Sequence, residues 1–209
     1  ALPEGISGLR IAWSPDLGGI PVDSEVRAKS EEAALAFVAF GATVEKTEFT
    51  LDHELALKTF KTLFFSDMDA NYGTILDRQP ELLMPMMRTW LEEARGWPAA
   101  RMAQAMRDLE WHRARMATLF QDYDLLMTPT LAVPAFPVEQ WPNQIEGDPV
   151  DEIWGFNPFC YPFNLTGQPA ASVPCGFSSD GLPIGLHIVG RRGEETTVLQ
   201  ASLAFEEAH

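Results

Sequence analysis

Leu9, Ile11 and Trp13 fall on alternate positions of GLRIAWSPD (8–16), and the run ends at a proline, the pattern of a short strand passing into a loop. Asp23 is placed to cap a helix. Beyond it Val26, Ser30, Ala33, Ala34, Phe37 and Val38 recur every three or four residues up to Gly41, which predicts a helix with one apolar face and a glycine C-cap. TVEKTEF (43–49) reads as a second strand. A strand, a helix and a strand with short connections predict an α/β layered arrangement.

From Asp52 to about Phe120 the pattern is helical, with breaks expected near Pro80, Pro85 and Pro98, because proline lacks the donor N–H and clashes with the preceding turn. Met102, Met106, Leu109, Arg113, Met116 and Phe120 mark the best-defined of these helices. Arg113 interrupts a stripe that otherwise reads as core packing. DLLMTPTLAVPAFP (124–137) follows, an apolar run and then prolines at 129, 134 and 137, which predicts a buried strand opening into a rigid loop at its C-terminal end. In open α/β sheets that end is where sites tend to lie.

Residues 138–162 are acidic, aromatic and irregular, with Trp141, Trp154, Phe156, Phe159 and Tyr161 in what reads as a long loop. Two apolar runs then flank SSDG, whose Asp180 and Gly181 signal the turn of a β-hairpin. A helix from about Glu194 closes the chain. The expected fold class is α/β, a mixed β-sheet with flanking helices and a C-terminal β-hairpin in a single domain over 1–209.

Composition changes this picture little. With 209 residues, 46% hydrophobic and 22% charged, the chain has the make-up of an ordinary globular domain able to bury a sizeable core. The charge is more informative. Thirty acidic against 15 basic side chains leave −15, a field that disfavours nucleic acid and anionic membrane surfaces as partners. No apolar run reaches the roughly 18 residues of a membrane span, and the opening ALPEGISGLRIAW lacks the features of a signal peptide. Cys160 and Cys175 are too few for a disulfide framework and lie in no metal-binding spacing, so reduced thiols in a cytoplasmic protein are expected. The chain starts on Ala and ends within a helical pattern, so both ends are expected to be cut.

A search for catalytic chemistry is short. There is no G-x-S-x-G elbow, phosphate-binding glycine loop or H-E-x-x-H, and no Lys lies beside a serine-rich glycine loop. His187 alternates with Leu186 and Ile188 and is expected at the surface or only partly covered. Adjacent acids such as Glu92 and Glu93 read as a solvated helix face. Neither a metal nor another cofactor is expected.

The stretch FNLTGQPAASVPCGFSSDGLPIGLHIVGRR resembles the C-terminal part of the amidase signature family, which carries an Asn, a small residue with Gly and Pro, a Ser-x-Pro-x-Gly strand and a hairpin ending Gly-Leu-x-Ile-x-Gly. GLRIAWSPDLGGIPVDSEV with FGATVEKTEF, and YDLLMTPTLAVPAFP, agree in order, so the resemblance covers nearly all of the chain. It implies hydrolysis of a small-molecule amide through a Ser nucleophile, a second Ser and a Lys base. The family carries all three before the block that begins here at Gly8. The resemblance therefore implies the C-terminal portion of an amidase. The N-terminal catalytic half of the same polypeptide would be its partner, and no catalytic residue would lie in this chain.

One family branch supplies ammonia for transfer-RNA amidation and holds the ammonium of glutamine with an Asp seven residues before the Asn of the small-Gly-Pro block. Here that position is Asn157, a neutral amide that cannot pair with ammonium as a carboxylate does, which implies a general amidase. Phe156, Asn157, Phe159 and Cys160 are then candidates for the acyl-side pocket wall, with Thr128 and Thr130 near the strand end. A binding module folded without chemistry is the competing class. Ser172 alternates within a strand with no base nearby in sequence. Gly167 and Pro169 shape a tight turn into that strand, whose small side chains allow another backbone to approach. An exposed sheet edge would also favour a homodimer or aggregation.

Overall fold

A computed structural model describes residues 5–208. The chain runs β1 (Arg10–Trp13), α1 (Ser24–Ala36), a 3₁₀ turn (Phe37–Phe40), β2 (Thr43–Lys46), α2 (His53–Arg78), α3 (Pro85–Arg95), α4 (Ala99–Asp122) and β3 (Leu125–Pro129). It continues through β4 (Gln144–Ile145), β5 (Asp148–Pro149), α5 (Tyr161–Thr166), β6 (Ala170–Phe177), β7 (Pro183–Gly190) and α6 (Glu195–Ala208). Five strands form one mixed sheet in the order β2-β1-β3-β7-β6. β1 pairs in parallel with β2 and with β3, as in Ile11↔Val44 and Ile11↔Leu125, and β7 runs antiparallel to both β3 and β6.

Alternation decides which face each strand residue serves. Ile11, Trp13, Leu125, Met127, Leu186 and Ile188 point to one face, where Ala33, Ala34 and Phe37 meet Val198, Ala201 and Phe205 of α6. Ala12, Leu126 and Val189 point to the other, against Ala56 of α2, Met116 and Phe120 of α4, and Phe163 of α5. The sheet is therefore a middle layer with helices on both sides, which is why β3 is apolar throughout and buried at all five positions.

The local signals act as expected at most element ends. The Asp23 carboxylate accepts from the N–H groups of Glu25 and Val26 and caps α1, a contact of about 1 kcal/mol. Gly41, at φ 87, ends the turn after α1 in the left-handed region that favours glycine. The helical stretch breaks at Pro80, Pro85 and Pro98 into α2, α3 and α4. Ser178 and Leu182 exchange bonds across the hairpin turn, and the β6–β7 register slips between Pro174 and Gly176 in a bulge at Cys175.

Four expectations need correction. His187 is buried, only 7% exposed, because β7 is covered on both faces and the Phe163 ring stands edge-on to the imidazole at 5.4 Å. Met102 and Met106 are exposed at 39% and 48%, and Val38 at 55%. The buried stripe of α4 is Ala105, Leu109, His112, Met116, Leu119 and Phe120, so the helix is rotated by about one residue from the expected stripe, and His112 rather than Arg113 is its buried polar member. The segment 138–162 is not wholly irregular: β4 and β5 form a two-stranded sheet around Glu146 and Gly147, and α5 begins at Tyr161. His209 lies outside the described residues.

Candidate functional site

The C-terminal end of β3 is where the predicted residues gather. Thr130 leaves the strand with its N–H donating to the Gly185 carbonyl at 2.9 Å, which ties it to β7. Its hydroxyl lies 2.7 Å from that of Ser172 on β6, so the two share one proton donor across β7. They meet only because residue 185 is a glycine. A Cβ there would stand 2.6 Å from Ser172 Oγ and 2.9 Å from Thr130 Oγ1. The Cys160 thiol donates to the Thr130 carbonyl at 3.5 Å, and burial pushes its pKa up, keeping it protonated.

The loop before α5 supplies the other wall. Asn157 donates its N–H to the Trp154 carbonyl, and its own carbonyl accepts from the Cys160 N–H. The Asn157 side-chain oxygen is buried and has no partner among the described residues. An amide oxygen held in that way carries an unmet demand for a donor. The Phe156 carbonyl accepts from Ala132 N–H, joining this loop to the one after β3, and the Phe156 ring packs edge-on to Phe136 at 5.2 Å. Phe159 and Thr128 lie deeper: both are fully buried, Phe159 in the core against the sheet and Thr128 opposite His187 on β7. The structure thus brings Thr130, Cys160, Asn157 and Phe156 to one strand end, and leaves Phe159 and Thr128 beneath it.

Beside this wall opens a cavity of about 450 Å³, bordered by Gly155 and Pro158 on either side of Asn157 and lined by Leu57, Trp154 and Tyr161. Asp151 and His53 stand at its edge. Burial works to raise the Asp151 carboxyl. The Lys61 ammonium at 2.6 Å and the N–H groups of Ile153 and Trp154 outweigh it and hold the pKa below the usual value. His53 donates from Nε2 to the Leu17 carbonyl, and burial lowers its pKa. The lining is mainly apolar and aromatic with few polar groups, the make-up of small-molecule sites.

Ser172 has no base against it among the described residues. Among the described residues its hydroxyl partner is Thr130, and His187, opposite it in the β6–β7 register, is kept neutral by burial with its pKa lowered to about 4. Sequence reasoning missed Ser172 and Gly185 as partners of Thr130. The hairpin register sets Ser172 opposite His187, two residues from Gly185 on the same face, so Ser172 reaches Thr130 diagonally across β7. Among the described residues no group of three His, Cys, Asp or Glu could hold a metal ion, and no helix is long and apolar enough to cross a membrane.

The fold is α/β, and its mixed sheet ends in a rim of hydroxyl, thiol and amide groups that, among the described residues, holds no paired nucleophile and base. The family profile described as Amidase matches residues 3–199, and the chain belongs to that family. It is similar to an acylamidase of Rhodococcus erythropolis, 34% identical over 208 residues, covering 96% of this chain and 42% of the relative. It is also 33% identical over 235 residues to a subunit of the glutamyl-tRNA(Gln) amidotransferase of Geobacillus stearothermophilus, covering 100% of this chain and 46% of the relative. Among solved structures, a bacterial aryl acylamidase of the amidase signature enzymes superposes with TM-score 0.84 at 26% identity, covering 99% of this chain and 45% of that one. The chain spans a little under half the length of the curated relatives it matches.

Proposed function

We propose that this chain is the C-terminal portion of an amidase that hydrolyses a carbon–nitrogen amide bond to a carboxylate and ammonia or an amine. The catalytic Ser, Ser and Lys reside in a preceding half of the same polypeptide, and this portion supplies part of the sheet and one wall of the substrate pocket. The reading rests on the family match over residues 3–199, taken together with the absence, among the described residues, of any base beside Ser172. By itself the portion is inactive. Asn157, Phe156, Cys160 and Thr130 form the acyl-side wall, where the unpartnered Asn157 oxygen accepts from an N–H of the substrate. The neighbouring cavity takes the apolar part of the amide.

The kinship with the amidotransferase offers a second reading, a glutaminase that feeds ammonia to a partner. Asn157 argues for the general amidase, since glutamine's ammonium would find no carboxylate at that position. Turnover of the full-length protein on glutamine, aryl amides and aliphatic amides separates the two. The amide reading expects aryl or aliphatic amides to be favoured and Asn157→Asp to raise activity on glutamine. Preference for glutamine in the wild type overturns the reading of Asn157. A coding region upstream without a Lys and a Gly/Ser-rich double-serine block removes the amidase reading altogether.

A further inference from the structure

Two threonines occupy the buried face of α2 where it meets α4. Thr59 is 1% exposed and Thr62 2%, and the residue facing them on α4 is the small Ala105. Hydroxyls and an alanine at a helix–helix contact leave space that leucines would fill, and the space is a cavity of about 330 Å³. Its walls are Lys58, Arg101, Gln104 and Asp108. A threonine inside a helix ordinarily donates back to the carbonyl four residues earlier. Thr62 does so, to Lys58 at 2.8 Å, and also accepts from Arg101 Nε at 3.1 Å. Thr59 does not: its hydroxyl is buried without any partner among the described residues.

The charges around that orphan hydroxyl are unbalanced. Asp108 accepts from the Gln104 amide at 2.7 Å, and the Arg101 guanidinium lies on the face of Trp97 at 3.6 Å, which fixes its position. Lys58 has no ion pair or hydrogen bond from its ammonium among the described residues. Two cations against one carboxylate leave this pocket positive within a chain of net charge −15. A donor buried without a partner among the described residues and two cations, one of them a fixed donor fork, together make a receptor for an acceptor group that carries negative charge.

We propose that the α2–α4 cavity binds a small molecule through an oxyanion, a carboxylate or a phosphate group, with Lys58 and Arg101 holding its charge and the Thr59 hydroxyl donating to it. The volume leaves room for a few carbon atoms beyond the anionic group. The site shares no residue with the strand-end rim and stands independently of the amide-hydrolysis reading.

Calorimetric titration of the full-length protein with inorganic phosphate and, separately, with malonate at constant ionic strength tests it. At least one probe is expected to bind saturably, and the probe that binds identifies the phosphoryl or the carboxylate form. Lys58→Gln and Arg101→Gln each weaken that binding about tenfold, the scale of one charge-assisted contact. Thr59→Val keeps the shape, raises the melting temperature of the ligand-free protein by removing an unmet hydroxyl, and still weakens binding severalfold. Absence of saturable binding by both probes overturns the proposal. So does unchanged affinity in Thr59→Val, since a mere pair of surface cations would not register the loss of a buried hydroxyl.

Discussion

β3 and β6 are apolar strands of the same sheet, and their surroundings treat them oppositely. LLMTP of β3 is buried at every position, with β1 on one side and β7 on the other. AASVPCGF of β6 has β7 alone beside it, and Val173 is its one buried residue. The residue types follow the difference. Where layers close on both faces, branched and long side chains fill the space. Along β6 the chain places Ala, Ser, Pro, Cys and Gly, which contribute little packing area but let a second backbone come near. An edge of small residues is therefore better suited to a close neighbour than to open water, which fits the proposal that the rest of the polypeptide lies against it.

The largest expected effect tests that neighbour. Ser172→Lys should cost only about 0.5–1 kcal/mol in the 209-residue chain, where position 172 is exposed and one hydroxyl contact is lost, and should cost about 4 kcal/mol in the full-length protein if the edge is covered there. Denaturant titrations of both forms give the two numbers, and equal stability losses remove the proposed cover. Leu126→Ala, in the fully buried strand, should cost about 3 kcal/mol in either form, because a cavity is left between the sheet and α4.

His187, on the strand between β3 and β6, gives a pH test. Its pKa falls from 6.5 in the unfolded chain to about 4 in the folded one. The unfolded chain therefore takes up the proton first. The neutral, buried state costs nothing above about pH 6.5, and stability drops by about 3 kcal/mol as the pH falls towards 4. Thermal unfolding of wild type and His187→Gln across that range should show a shallower decline in the variant. Parallel curves would mean that the imidazole is not held neutral.

Gly185→Ala is expected to cost about 1–3 kcal/mol, because the new Cβ would overlap both hydroxyls of the Thr130–Ser172 pair and push β6 from β7. The smallest change is Ser172→Ala. Loss of one hydroxyl contact at the surface should stay near 0.5 kcal/mol in the 209-residue chain, and a markedly larger loss would show that the pair anchors the edge strand.

Local periodicity carried the strands, the helix breaks at the three prolines and the hairpin, because each depends on neighbours a few residues away. What failed depended on layers. His187 looked like the polar member of a half-exposed strand, but α5 covers that face, and α5 lies at the end of a stretch whose prolines and aromatics show no helical period. On α4 the methionines outweighed Ala105 in the apparent stripe, although the small alanine is the residue that faces α2. The strand-end rim was legible in part. Thr130, Cys160, Asn157 and Phe156 were named from sequence, and Ser172 and Gly185 join them only because the β6–β7 hairpin pairs with β3, which lies well before it in the chain.

The pairing of β1 with β3 has a consequence for how the molecule comes into being on the ribosome. β1 meets β2 early, but its other partner, β3, lies more than a hundred residues further on, beyond the whole run of α2, α3 and α4. At about 5–20 residues synthesised per second, β1 waits on the order of 10 s with one edge unpaired. The three helices must gather before the central strand arrives to close the sheet, and loop closure over such a distance slows the step further. During that interval the nascent chain is a natural client for holding chaperones, and its birth is a race between β3 and any other strand that reaches β1 first.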